Sequence, residues 1–151
     1  MRYVKVGFVL LGLATVLAAA DPFVGTWKLN PAKSKYKTGT PPKEQTVVIG
    51  EKGGDLDVNI TGTAADGSAI ANHYTIPTKG GEGKIIQSPY DAISSKRPSD
   101  TERVITYSKG GKVVYTAQPK LSADGKTMTA AVKGTDPAGK PVEGRAVFEK
   151  Q

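Results

Sequence analysis

The chain contains no cysteine, and it has only one tryptophan and one histidine in 151 residues. The absence of cysteine excludes disulfides, thiol nucleophiles, zinc–cysteine sites and iron–sulfur clusters. Any imidazole chemistry would depend on His73 alone, and no acidic or histidine spacing accompanies it. We therefore predict no catalytic residue, no metal site and no cofactor. An enzyme would need His73 or tyrosine hydroxyls inside a cavity, and we expect that the protein is not one.

Long apolar runs are absent after the first twenty residues. Arg2 and Lys5 precede an uncharged apolar stretch, Val6–Leu17, and three alanines end at Ala20. This order is typical of a signal peptide over residues 1–20, cleaved after Ala20. The alternative is an uncleaved N-terminal anchor, although a spanning helix needs about 20 apolar residues. We expect an exported protein, periplasmic or secreted, whose mature part does not span the membrane.

The mature chain, residues 21–151, has the length of a single domain. Its apolar and polar residues alternate with period two, which is typical of half-buried antiparallel strands. The same alternation directs His73 away from the apolar face. It breaks at Ile85-Ile86 and at Val113-Val114, where the faces stay unassigned. The large side chains predicted on the inner face are Trp27, Val47, Ile49, Leu56, Val58, Ile60, Ile70, Tyr74, Ile76, Met128, Val132 and Phe148.

Short turn signals separate these runs, among them Gly53-Gly54, Asp66-Gly67 and Asp124-Gly125. Such residues suit tight hairpins, so strands that are neighbours in sequence should be neighbours in the sheet. We predict an all-β fold: an antiparallel up-and-down meander of about eight to ten strands that closes into a barrel. The sequence contains an internal echo: the segment Gly62–Ile70 resembles the segment Gly134–Val142, which follows it at a spacing of 72 residues. Duplication and shared hairpin chemistry both explain it.

The stretch Phe23–Leu29, with Gly25 and Trp27, resembles the first strand of lipocalins and intracellular fatty-acid-binding proteins, the calycin barrels. The ending Val147–Lys150 is similar to the last strand of the fatty-acid-binding group. The whole chain resembles small exported bacterial proteins of unassigned function. The resemblance implies a lipocalin-like barrel whose closed end holds Gly25 and Trp27. It also implies an arginine from a late strand across the indole, for which Arg145 is the first candidate and Arg103 the second.

Two features depart from the fatty-acid-binding pattern. That group has two lid helices after the first strand, whereas residues 31–43 contain three prolines and predict a loop or an irregular edge. Its carboxylate-binding arginine and tyrosine would fall on Ala146 and Phe148, and Arg145 is one residue out of register. The resemblance therefore does not carry a fatty-acid clamp to this chain.

Charge suggests a second kind of partner. The formal net charge is +7, and +5 without the signal peptide. A basic exported protein attracts acidic lipids or polysaccharides, and we expect no nucleic-acid partner. The densest basic cluster consists of Lys33, Lys35 and Lys37, which either contact an anionic surface or lie in a solvated loop.

Several predicted interior positions hold small residues, and they bear on whether the barrel is filled or leaves room for a ligand. These are Gly62, Ala130, Gly144 and Ala146. A barrel of about eight strands either packs its side chains together or holds one small ligand. We predict an exported lipocalin-like barrel that binds a small hydrophobic or amphipathic ligand. The alternative is a filled barrel that contacts an anionic envelope component or a protein through its basic surface. The predicted ligand-binding wall residues are Tyr74, Ile76, Tyr115 and Phe148.

Overall fold

The computed structural model describes residues 19–151, so the predicted signal peptide lies outside it except for its last two residues. This range consists of twelve β-strands joined by turns and short loops. The strands are β1 (Gly25–Leu29), β2 (Lys35–Thr38), β3 (Glu44–Lys52), β4 (Asp55–Thr63), β5 (Ala69–Pro77), β6 (Gly81–Glu82), β7 (Lys84–Gln87), β8 (Ala92–Ser99), β9 (Glu102–Lys109), β10 (Lys112–Leu121), β11 (Thr127–Thr135) and β12 (Pro141–Lys150).

The strands form one antiparallel sheet in the order β6-β8-β9-β10-β11-β12-β1-β3-β4-β5-β7. The sheet closes on itself near Gly83, because β6 pairs with β8 while β7 pairs with β5. The backbone N–H of Gly83 also donates to the carbonyl of Ile93, 2.9 Å away. Nine strands have five or more residues. The predicted up-and-down barrel of eight to ten strands is confirmed.

Alternation along each strand builds the core. In β4, Leu56, Val58 and Ile60 are buried, while the intervening side chains face outward. The same parity buries Met128, Ala130 and Val132 in β11, as expected for one inward face. The predicted large interior residues are all buried except Ile70, which is partly buried and packs against the core.

The breaks in alternation coincide with irregular pairing. The register between β5 and β7 shifts near Tyr74, and the register between β9 and β10 shifts after Val113. Such a shift changes which face the following side chains occupy. Ile85 consequently packs against the core, whereas Ile86 and Val113 are exposed.

The segment 31–43 contains the short strand β2, which pairs with β12 outside the main strand order. This matches the predicted irregular edge, and no lid helix is present in the described range. The Tyr36 ring lies directly over Gly144, where an added Cβ would be 2.7 Å from the ring. Gly144 therefore makes room for Tyr36.

The internal echo corresponds to two hairpins of the same shape. In one, the Ala64 N–H donates to the Ser68 carbonyl at 2.8 Å, and in the other Asp136 donates to Lys140 at the same distance. Gly62 and Gly134 precede these tips. A Cβ at either position would clash with a backbone carbonyl of the neighbouring strand. Both hairpins thus require a glycine where two strands approach closely.

Candidate functional site

The barrel encloses a cavity of about 710 Å³. Its volume lies in the range of small-molecule sites, roughly 300–1,000 Å³. The space arises where small side chains face inward on three adjacent strands: Ala117 and Pro119 on β10, Ala130 on β11 and Ala146 on β12. The predicted small residues Ala130 and Ala146 therefore line the cavity. Close backbone contacts occupy the space beside the glycines at positions 62 and 144.

One end of the cavity is bordered by loops. Its lining includes residues of the β2–β3 loop, the β4–β5 tip, the β7–β8 loop and the β11–β12 tip. In an antiparallel meander these connections lie at the same end of the barrel. This end therefore forms the mouth of the cavity, and the opposite end is closed by the segment that leads into β1.

Tyrosines form an aromatic cluster inside the cavity. The ring centroids of Tyr90 and Tyr107 are 4.9 Å apart, and those of Tyr107 and Tyr115 are 5.5 Å apart. Tyr74 meets Tyr107 edge to face at 5.8 Å. Such separations are typical of interacting aromatic pairs. All four tyrosines line the cavity.

The tyrosines stay protonated because burial disfavours the phenolate. Burial raises the pKa of Tyr74 to about 12, partly offset by its hydrogen bond with Tyr107. Burial, with the charge of Asp136, raises the pKa of Tyr90 to about 12. Burial also raises the pKa values of Tyr107 and Tyr115 well above the ordinary value. The cluster therefore offers neutral hydroxyl donors at physiological pH.

The Tyr74–Tyr107 pair, Asn72 and Arg103, whose Nε has no partner in residues 19–151, all line the cavity with unused hydrogen-bonding capacity. The hydroxyl oxygens of Tyr74 and Tyr107 are 2.8 Å apart, and their bond uses one of the two hydroxyl protons. Asn72 precedes Tyr74 by two residues and lines the same cavity. Asn72 is 9% exposed, and its Oδ1 has no hydrogen-bond partner among residues 19–151. Buried polar atoms are normally paired, so this exception indicates a site for another polar group.

An ionic cluster closes the opposite end. The Asp21 carboxylate is 3.1 Å from Arg103 and 3.2 Å from Arg97, and it accepts the Phe23 N–H at 3.0 Å. Arg103 is 1% exposed, donates to the Thr78 carbonyl at 2.8 Å and lies over the Phe23 ring. Burial lowers the pKa of Arg103, while Asp21 opposes this effect. The carboxylate thus balances a buried cation at the cavity floor.

Trp27 is fully buried at this closed end, and its indole N–H donates to the Phe23 carbonyl at 2.9 Å. The cation over its ring is Lys150, with Nζ 5.4 Å from the centroid. Gly25 leaves room for this side chain, because a Cβ there would lie 2.7 Å from Lys150 Cε. Gly25 therefore makes room for the cation that covers Trp27 at the closed end.

The structure does not place Arg145 over Trp27. Ala146 and Phe148 are buried, so alternation along β12 turns Arg145 outward, where it is exposed beside β2. Lys150 shares the parity of Phe148 and pairs in register with Trp27, which puts it over the indole. Arg103, the second candidate, is buried but lies over Phe23.

The fold is an antiparallel β-barrel in which the first strand pairs with the last. Strand β1 lies between β12 and β3 and pairs with both. Most other neighbouring strands of the barrel are joined by hairpins or short loops. No protein-family model matches the chain, and no curated protein matches it. Among solved structures, it is similar to lobster apocrustacyanin A1 and to apocrustacyanin C2, each with 12% identity and a TM-score of 0.44. The matches cover 86% and 87% of this chain but 61% and 62% of those chains.

All four predicted ligand-binding residues line the cavity of the barrel. They are Tyr74, Ile76, Tyr115 and Phe148. Their contact with a ligand remains a prediction. Sequence reasoning missed Asn72 and Tyr107, and it named Arg103 only as the second candidate for the arginine across Trp27. Alternation contained the signal for all three, since Asn72 shares the parity of Tyr74, and Arg103, Ile105 and Tyr107 are buried in turn along β9. Tyr90 lies in a loop and has no periodic signal.

His73 and the lysine cluster lie on the outer surface. His73 faces outward and its Nε2 is 2.8 Å from Asp57 Oδ1. Within residues 19–151, no group of three or more His, Cys, Asp or Glu side chains could hold a metal ion. The same part of the chain contains no helix with the length and apolarity needed to cross a membrane.

The lysine cluster is exposed beside β12. Lys33 Nζ is 2.7 Å from Glu149 Oε1, and this contact lowers the pKa of Glu149. Lys37 lies 3.9 Å from Glu143, and Lys35 is exposed on the same strand. Exposed pairs of this kind stabilise a fold little. Their acidic partners do reduce the net positive charge that the cluster presents to an anionic surface.

Proposed function

We propose that this protein binds a small hydrophobic or amphipathic molecule inside the barrel. The observation that carries the proposal is the cavity of about 710 Å³ between the aromatic cluster and the small side chains of β10–β12. Its volume and mixed lining resemble those of small-molecule sites, in which apolar walls surround a few polar groups. A loop-bordered mouth would admit the ligand without unfolding the walls.

Filling the cavity should abolish binding. The neutral probe N-phenyl-1-naphthylamine should gain fluorescence on binding to the wild-type protein, because it leaves water for an apolar site. Ala130→Phe places a ring in the cavity, and we expect its affinity for the probe to fall at least about tenfold, as one lost pocket position can change affinity by this amount. Fluorescence titration measures both affinities.

The adjacent Ala131→Phe is the matched control, because Ala131 faces outward, and it should bind as the wild type does. Ala146→Leu fills the same space from β12 and should repeat the loss. Thermal unfolding shows whether each variant is folded. Equal probe binding by wild type and both folded filling variants, or no binding by wild type, would contradict the proposed function.

We also propose that the protein is exported and that residues 1–20 are removed. The N-terminal pattern supports export. The Asp21 backbone nitrogen lies 3.1 Å from Glu51 Oε2, while Ala19 and Ala20 are exposed. Cleavage after Ala20 would turn this amide into an ammonium group beside a carboxylate, which makes a stronger, charge-assisted contact.

Processing is measured by intact mass. When the full chain is expressed in a bacterial host, the protein in the periplasm or medium should begin at Asp21. Ala20→Leu should block cleavage, because the residue before the cleavage site must be small. Recovery of the wild-type chain only in the cytoplasm, or only with residues 1–20 attached, would contradict export with cleavage.

A further inference from the structure

We infer that the cavity takes a neutral, planar aromatic molecule that carries both a hydrogen-bond donor and a hydrogen-bond acceptor. This inference rests on the proposed function and specifies the chemistry of its ligand. Three features of the cavity support it: the aromatic cluster, the unused hydrogen-bonding groups and the position of the charged side chains.

The aromatic cluster favours a planar ligand. Tyr90 and Tyr115 have nearly parallel rings, with an interplanar angle of 15° and centroids 6.3 Å apart. Tyr107 lies near both, at 4.9 and 5.5 Å. A flat ligand can stack against these faces or meet their edges, which gives it interactions beyond burial that an aliphatic chain lacks.

The tyrosine pair supplies the donor. Tyr74 and Tyr107 share one hydrogen bond, so the second hydroxyl proton has no acceptor in the described part of the chain. Leaving a buried donor unpaired is unfavourable, and a ligand acceptor removes that penalty. Replacing only one of the two tyrosines keeps one free hydroxyl, so a test of this donor must replace both.

Asn72 supplies the acceptor. Its buried Oδ1 has no partner in residues 19–151, and the side chain lines the cavity. Asn72 and Tyr74 face the same side of β5, with Cα atoms about 7 Å apart along the strand. Oδ1 itself is covered in this structure, so a ligand would donate to Asn72 only after the side-chain amide turns toward the cavity, while it accepts from the tyrosine pair.

The charged side chains favour a neutral ligand. Arg103 at the floor shares the Asp21 carboxylate with Arg97, and its Nε has no partner in residues 19–151, whereas the other charged lining residues, Asp66, Asp136 and Lys140, lie at the hairpin tips. The interior between them contains only neutral side chains. A charged group placed there would lose its hydration without gaining a counter-ion.

Three naphthalenes test the hydrogen bonds. At pH 7, 2-naphthol is a donor and an acceptor, 2-methoxynaphthalene is an acceptor only, and 2-methylnaphthalene has neither group. We expect Asn72→Leu to reduce the preference for 2-naphthol over 2-methoxynaphthalene about tenfold, because only 2-naphthol can donate to Oδ1. The double variant Tyr74→Phe/Tyr107→Phe should weaken both oxygen-containing probes about tenfold relative to 2-methylnaphthalene. Calorimetry or fluorescence measures the dissociation constants.

Two controls separate this inference from the proposed function. Asn59→Leu changes an exposed asparagine on β4 and should keep the wild-type preference. Binding of 2-methylnaphthalene shows that the cavity of each variant is intact. If 2-methylnaphthalene binds and Ala130→Phe abolishes its binding, the proposed function stands. The inference alone is then overturned by either of two results. One is that Asn72→Leu keeps the wild-type preference for 2-naphthol over 2-methoxynaphthalene. The other is that the double variant binds the two oxygen-containing probes, relative to 2-methylnaphthalene, as the wild type does.

The aromatic part of the inference has its own test. Tyr90→Leu in the β7–β8 loop should weaken 2-naphthol at least about fivefold, through loss of an aromatic contact, and leave 1-decanol unchanged. An equal loss for both probes overturns the preference for planar ligands. Failure of the wild-type protein to bind any naphthalene or 1-decanol overturns the inference and the proposed function together.

Discussion

Replacing Asp21 with alanine should lower the free energy of unfolding by about 3–5 kcal/mol, the usual loss when one partner of a buried ion pair is removed. Arg103 is 1% exposed and has its counter-ion in Asp21. Arg97 is 20% exposed and has a second acidic neighbour, Asp100, so it tolerates the loss better. Urea denaturation at pH 7 measures the effect.

A double-mutant cycle identifies the cause. Arg103→Met should also be destabilising, because it leaves the Asp21 carboxylate with only Arg97. The double variant Asp21→Ala/Arg103→Met should lose clearly less than the sum of the single losses, since no unpaired charge stays buried. Asp21→Asn keeps an oxygen for the Phe23 N–H and removes the charge. If Asp21→Asn is as stable as wild type, or the single losses add, the ion pair is not what stabilises this end.

Raising the pH above 10 should unfold the barrel over a narrow range. All five tyrosines in residues 19–151 have raised pKa values: Tyr36, Tyr74, Tyr90, Tyr107 and Tyr115. Above pH 10 the unfolded chain releases phenolic protons that the folded chain keeps, so stability falls as the pH rises. For Tyr74 the window runs from about pH 10 to its folded pKa of about 12. Each fully buried tyrosine contributes a loss of about 1.4 kcal/mol per pH unit.

Absorbance of the phenolate near 295 nm tests this prediction without a ligand. The folded protein should show almost no tyrosine ionisation near pH 10, whereas the protein in guanidinium chloride should titrate there. Tyr74→Phe should make the decline of stability with pH shallower, because one linked proton is removed. A phenolate titration centred near pH 10 with the fold intact would show that the cluster is accessible to water.

The alternation of apolar and polar residues with period two was enough to predict which strand faces form the interior. Leu56, Val58 and Ile60 were placed correctly, because a half-buried strand leaves a repeating pattern in its own sequence. The partners across the barrel could not be predicted in this way. Lys150 rather than Arg145 meets Trp27 because register and strand length decide which side chain reaches the closed end.

The candidate site was predictable only in part. Tyr74 and Tyr115 were predicted as wall residues, but the cluster depends on Tyr90, which a loop carries to the mouth. Loop positions have no periodicity, so local sequence does not indicate which way they point. Asp21 illustrates the same limit, because it follows the predicted cleavage site yet forms a buried pair with a residue 82 positions later.

In the two matching hairpins, the strands have a fixed register, whereas the residues of the tips can be exchanged. Each tip closes with the same backbone bond after a glycine, so the register of β4–β5 and of β11–β12 is set before the tip begins. The tip residues Asp66 and Lys140 line the mouth of the cavity. Substitutions in segments 64–68 and 136–140 that keep Gly67 and Gly139, whose φ angles are positive, should therefore change what the mouth admits while the strands keep their register.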